Sequence, residues 1–273
     1  MTSGKMTATA RKKGAPAGNL QSIDRSIALV RATAYSPAGL RLTELSDAVG
    51  LSKSTTHRIV STLVRHGLLR LSEGKRVYTP GGELYRLGIA AAHHFSLVEI
   101  ARPSLQRLAE LTEDTVFLSI IDGRDALCLD RVSGHFPIKA LTLAIGDRRP
   151  LGVGAGSLAL LAALPEDEWR AIVAEESQRL PRYGAFTAPA LTRWALKARR
   201  QGFAYNPERI VAGMSAVAVA IRGGEGRPIG AISVAAIAQR MPGERLEWVI
   251  DLLQRECDAV ATLAATLQAR DQA

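Results

Sequence analysis

The chain is 273 residues long, 47% apolar and formally +9 at neutral pH, enough for one large domain or two ordinary ones. No apolar run reaches the roughly 18 to 20 residues that cross a bilayer. The two cysteines, Cys128 and Cys257, make neither a disulfide framework nor a zinc site and fit a reducing cytoplasm.

Charge is confined to one end. Residues 1–90 hold 14 Lys and Arg against 5 Asp and Glu, which is the whole +9, and the remainder holds 21 against 21. A basic third joined to a neutral module points to a polyanion reader coupled to something else. Residues 1–18 carry Lys5, Arg11, Lys12 and Lys13 and no acid, without the apolar middle of a secretory signal. They are expected as a disordered basic arm, a composition shared with mitochondrial-type leaders.

Ile23, Ile27, Val30 and Ala34 then fall at helical spacing before a break at Ser36-Pro37-Ala38-Gly39. Thr43 is the expected N-cap of a short helix with Leu45, Ala48 and Val49 inside. Gly50 supplies a left-handed turn, and Ser52 caps a second helix that buries Thr56, Ile59, Val60 and Leu63 and ends near Gly67. This is helix-turn-helix spacing, which lets the second helix enter a major groove. The expected DNA-facing residues are Thr43, Ser52, Lys53, Ser54, Thr55, His57, Arg58 and Ser61. Leu69-Arg70-Leu71 and Arg76-Val77-Tyr78 alternate like two strands around Glu73-Gly74, a wing with Lys75 and Arg76 at its tip for phosphates. A small three-helix core or a protein-docking winged helix has the same spacing, but the basic face and the confined charge favour DNA. His57 has no catalytic partner nearby and reads as a groove-facing polar residue, and His66 reads as decoration of a helix end.

From Gly82 to Thr112 the pattern is helical, interrupted near Ser96 and Pro103. His93 and His94 are adjacent and lack acid or Cys companions, so a surface or subunit-contact role is expected rather than metal binding. A hairpin turning at Asp122-Gly123, a strand near Ile138–Leu143, a glycine loop and a helix through Leu164 follow. Helices from about Glu166 and Ala188, a short strand GFAYN and a second hairpin turning at Gly223–Gly226 come next. The last helix is expected to bury Leu246, Val249, Ile250, Leu253, Cys257, Val260, Leu263 and Leu267. Hairpin strands with helices grouped elsewhere make an α+β fold, an antiparallel sheet covered by helices.

Gly154, Gly156 and Ala159 in PLGVGAGSLALLAAL satisfy G-x-G-x-x-A, the dinucleotide fingerprint, and Glu175 lies at about the spacing of a ribose contact. That loop must follow a buried parallel strand. GDRRPL precedes it instead, and no Lys follows, so neither a dinucleotide enzyme nor a P-loop is expected, and no cofactor or metal. Small residues at a helix N-terminus still offer bare N–H groups to an anion, or simply a tight packing turn.

QSIDRSIALV, LTELSDAVGLSKSTTHRIVSTLVRHGLL, RVYTPGGELYRLG, GDRRPLGVGAGSLALLAAL and QGFAYNPERIVAGMSAVAVAIRGGEGRPIGAISV together resemble the IclR family of bacterial transcriptional regulators over nearly all of residues 19–270. The resemblance implies a winged helix-turn-helix over 19–82, a linker helix over 83–100, and a GAF-like effector-binding and oligomerisation domain over 101–270. It also implies palindromic operators of double-stranded DNA, homodimers or homotetramers, small organic acids as effectors and no membrane. Repression is favoured slightly over activation. Effector contacts carried over from the family fall on Leu141, Leu143, Gly154, Ala155, Asn206, Met214, Ala216, Ser233 and Ala235. Family pockets often hold an acid near Asn206 and polar or sulfur side chains at Ala216 and Ala235. The neutral residues here imply a roomier, more apolar pocket for an aromatic or longer aliphatic acid. Ser157 stands where the family commonly has Lys. The other readings are a ligand-independent DNA-binding protein and, further off, a dinucleotide enzyme using the 150–164 loop.

Overall fold

The computed structural model describes residues 17–72, 74–92 and 97–271, which belong to two compact units, residues 1–95 and 96–273. Most of the basic arm expected over 1–18, together with Glu73 and the His93-His94 pair, lies outside the described residues.

The first unit runs α1 (Ala17–Ala34), α2 (Leu42–Val49), α3 (Lys53–Arg65), β1 (Leu69–Ser72), β2 (Val77–Pro80) and α4 (Gly82–Ala92). Leu29, Leu45, Val60, Leu63, Leu69 and Tyr78 form its core. Gly50 adopts φ 64°, ψ 36° and ends α2, and the Leu51 N–H closes the turn on Ser46 O at 3.0 Å. A side chain there would meet the left-handed penalty that glycine avoids.

Three expectations are corrected in this unit. Thr43 lies inside the first turn of α2, and the cap is Arg41, whose N–H donates to the Glu44 carboxylate at 2.6 Å. The longer, charged Glu44 reaches back to the extended residue, which a threonine within the helix does not. Ala48 is exposed, and Leu45 and Ser46 are the buried pair. In α1 the fully buried positions are Leu29 and Thr33, while Ile23 is 59% exposed and Ile27 and Ala34 are also exposed. Burial begins only in the C-terminal half, so the upstream isoleucines meet no core within their own unit.

The second unit runs α5 (Leu97–Thr112), β3 (Thr115–Asp122), β4 (Asp125–Ser133), β5 (Arg148–Pro150), α6 (Ala155–Ala163), α7 (Glu166–Glu175), α8 (Ala188–Gln201), β6 (Ala204–Pro207), β7 (Met214–Arg222), β8 (Pro228–Ile237) and α9 (Glu244–Asp271). The sheet order is β5-β4-β3-β8-β7-β6, every pairing antiparallel. The segment expected as a linker helix over 83–100 thus contains α4 and the start of α5.

Helices cover both faces of the sheet, and side-chain size divides them. Val116, Leu118, Val217, Val219, Ile221, Ile232 and Val234 meet α5 and α9. The alternate positions Ala218, Ala220 and Ala231, with Ala216 further along, meet α6, whose nine residues are all buried. Small residues on helix and sheet let the two backbones approach, which is why AGSLALLAA shows no amphipathic stripe.

The strand expected at Ile138–Leu143 is absent; residues 134–147 run as a loop and β5 starts at Arg148. Side chains take the loop's carbonyls in place of a ladder. Arg131 donates to Leu143 O at 2.9 Å, Arg149 to Thr142 O and Lys139 to Gly134 O. At the far end of α9, Leu263 and Leu267 are exposed, and Ala264 is the last buried position among the described residues.

Candidate functional site

Two surfaces have geometry that bears on function, one in each unit. On α3 the Ser52 Oγ accepts from the Thr55 N–H at 3.3 Å and bonds Thr55 Oγ1 and Ser54 Oγ at 2.9 and 3.1 Å. This hydroxyl cluster closes the start of the helix. Lys53, Ser54, His57, Arg58 and Ser61 are exposed opposite the buried Thr56, Val60 and Leu63. Positions 54, 57, 58 and 61 share one helical stripe, so short donors and a cation stand together. Beside it β1 and β2 pair Leu69 with Pro80 through Ser72 with Val77, and Lys75 and Arg76 are exposed in the turn. Arg76 lies at φ 50° ahead of the strand rather than in it, a correction to the wing beside the three to the helices.

The other surface is a cavity of about 50 Å³ where α6 begins over the sheet. Of the residues named for it, Leu143, Gly154, Ala155, Asn206, Met214, Ala216, Ser233 and Ala235 all line it. Leu141 does not; it is 56% exposed, because the loop that was expected as a strand turns it outward. Gly154 precedes α6 at φ 102°, a value L side chains rarely adopt. A Cβ on it would also lie 3.3 Å from Ile210 Cδ1 and 3.7 Å from Arg149 Nη1. Those two side chains take part of the room that the alanines leave. Ser157 folds the glycine loop back, accepting from the Gly152 N–H at 2.8 Å and donating to Pro150 O at 3.0 Å.

Sequence reading missed Ser119, Ile210 and Arg149, all of which line the cavity. Ser119 and Phe117, two residues apart on one strand face, line it together, and neither carried a sequence signal for the pocket. The two arginines of GDRRPL part company. Arg148 pairs with Asp122 and, at 3.9 Å, Asp125. Arg149 turns inward, and burial lowers the pKa of its guanidinium. Asn206 is 6% exposed, and its Oδ1 has no hydrogen-bond partner. Burial also pushes the Cys128 thiol up to about 11, so Cys128, packed with Phe117 and Ala235, is a protonated filler. The loop's setting differs from a dinucleotide site: β5 is an antiparallel edge strand, and Glu175 is paired with Arg124.

Comparison with known proteins adds the lineage. The family model described as bacterial transcriptional regulator IclR C-terminal matches residues 89–262, and the IclR helix-turn-helix domain matches 22–73. The chain is 31% identical to the HTH-type transcriptional regulator BhcR of Paracoccus denitrificans, over 90% of this chain and 92% of that one. It is 26% identical to the transcriptional repressor IclR of Escherichia coli, over 85% and 86%. Among solved structures, an IclR homologue of Microbacterium hydrocarbonoxydans complexed with 4-hydroxybenzoate is 25% identical, with a TM-score of 0.73 over 88% of this chain and 98% of that one.

Proposed function

The chain belongs to the IclR family of bacterial transcriptional regulators and is a DNA-binding regulator rather than an enzyme, and from that premise we propose that a small organic acid in the α6 cavity modulates its binding to a palindromic operator. Lys53, Ser54, His57, Arg58 and Ser61 of α3 read the major groove, with Ser52, Thr55 and Thr43 beside them, while Lys75 and Arg76 hold flanking phosphates. The protein acts in the cytoplasm as a homodimer or homotetramer, which palindromic half-sites require, and represses its target in the absence of signal.

The observation that carries the ligand half is a cavity against small-residue backbone, lined by the buried Asn206 whose amide oxygen has no partner. The 4-hydroxybenzoate held by the Microbacterium homologue favours an aromatic acid. Coupling requires only that the acid prefer one arrangement of the two DNA-reading units of a dimer.

The test is fluorescence anisotropy against the upstream DNA of the chain's own gene and a scrambled duplex, at several salt concentrations, with and without a panel of aromatic and aliphatic acids. Specific binding shifted by one acid is expected. Specific binding that no acid changes returns the glycine loop to a packing turn, and no preference over scrambled DNA overturns the DNA assignment to these residues.

A further inference from the structure

We propose that Arg149 anchors the carboxylate of the effector while Asn206 accepts a hydrogen bond from a hydroxyl on the same molecule, so that the ligand class is a hydroxycarboxylic acid. The inference rests on the effector reading above and narrows it.

Arg149 and Asn206 stand on β5 and β6, the two edge strands of the sheet, yet both line one cavity. Arg149 forms no ion pair among the described residues: one Nη2 bond goes to the Thr142 carbonyl, and Nη1 lies beside Gly154. Arg149 is partly buried and has no carboxylate of the described residues within ion-pair distance; burial depresses its pKa, and the charges of Tyr183 and Asp147, acting from further off, offset this only in part. An incoming carboxylate supplies the missing charge in the fork geometry that guanidinium matches. The bare N–H groups opening α6 at Ala155 and Gly156 add a second set of donors beside the same spot. Arg148 shows the alternative fate: one residue earlier, it is already neutralised by Asp122.

Asn206 poses the complementary demand. It is a buried acceptor, since Oδ1 has no partner and the residue is 6% exposed, and an unmet buried acceptor disfavours the empty state. A carboxylate brings no proton to it. A hydroxyl does. The same lining holds Ala216, Ala235, Phe117 and Met214, apolar surface that suits a spacer such as a ring, together with the hydroxyls of Ser119 and Ser233.

Isothermal titration of the full chain with 4-hydroxybenzoate, benzoate and 4-hydroxybenzamide separates the two contacts. The wild type is expected to favour 4-hydroxybenzoate over benzoate by about 5- to 10-fold, and over the uncharged amide by about 10- to 100-fold. Arg149→Gln should remove the preference for acid over amide, and Arg149→Lys, which keeps charge without the fork, should retain part of it. Asn206→Leu should leave benzoate binding intact and bring the ratio of hydroxybenzoate to benzoate to about one. Each readout is a ratio within one variant, so a general loss of packing does not imitate it. Unchanged ratios in Arg149→Gln or in Asn206→Leu overturn the proposal. So does a wild type that binds none of the three; if a different acid still shifts operator affinity, the effector reading survives that result.

Discussion

Arg58 and Lys75 carry the same charge on one unit, yet their places require different outcomes on mutation. Arg58 stands in the exposed stripe of α3, where a bidentate base contact is worth about 1–3 kcal/mol of discrimination. Arg58→Ala should therefore lose operator affinity while scrambled-DNA affinity changes little; equal loss on both duplexes demotes it to a phosphate contact. Lys75, exposed in the wing turn, should weaken every duplex alike when changed to Ala and reduce the slope of log affinity against log salt by about one unit. An unchanged slope removes it from the interface. The exposure of Arg58 was readable from helical period and that of Lys75 from its place in a glycine-bearing turn. Arg149 was not: its neighbours argue only against an apolar strand, and the inward turn depends on a loop carbonyl at Thr142 supplied from seven residues upstream.

At the scale of elements, one carboxylate fastens the start of α9. Asp114, buried between α5 and β3, accepts from Arg240 Nε at 3.0 Å and from Arg245 at 2.8 Å, and the same two guanidinia cover the last carbonyl of α5 at Thr112. Removing the acid takes the Asp114 carboxylate from Arg245 and leaves Arg240 with the more exposed Glu113 at 3.5 Å, so Asp114→Ala should cost about 3 kcal/mol in urea unfolding. A cost below about 1 kcal/mol would show the pair to be surface-like. A second element-scale expectation concerns the small face. Ala218 is fully buried beneath α6, and Ala218→Leu should destabilise by about 1–3 kcal/mol through overpacking. An unaltered melting temperature would mean that α6 floats rather than packs. The turns and the cap of α3 were legible because Gly50, Asp122-Gly123 and Ser52 act through local backbone chemistry, whereas the cap of α2 was misread at Thr43. The stripe of α1 and the strand at Ile138–Leu143 were misread because burial there depends on where the partner surface ends and on which side chains claim the loop carbonyls. Neither is a property of the segment itself.

For the whole molecule, the division of charge and the division of fold coincide: the basic excess of residues 1–90 lies in the unit with the exposed α3, and the balanced remainder holds the cavity. The two-part plan was visible in composition alone for that reason. If the two units also unfold separately, calorimetry should show two transitions. Operator DNA should raise the one belonging to residues 17–92, and a bound acid the one belonging to 97–271. Saturation at about a hundred times Kd adds about 2.7 kcal/mol to the liganded unit. An acid that stabilises only the DNA-reading unit would place its site elsewhere.

The alanine layer beneath α6 has a consequence for how the pocket responds to distant change. Alanine has no χ angle, so that layer surrenders almost no side-chain entropy on folding and has no alternative rotamers with which to absorb a disturbance. An added methyl at Ala218 or Ala231, both fully buried in the layer against α6, has to be met by a shift of that helix or of its leucines, whereas Ala220 also borders a separate cavity. Gly154 and Ala155, which line the cavity, stand at the N-terminal end of that helix. Ligand preference in this protein should thus be tunable by substitutions that never touch the ligand, with the helix acting as a stiff lever whose fulcrum is the sheet.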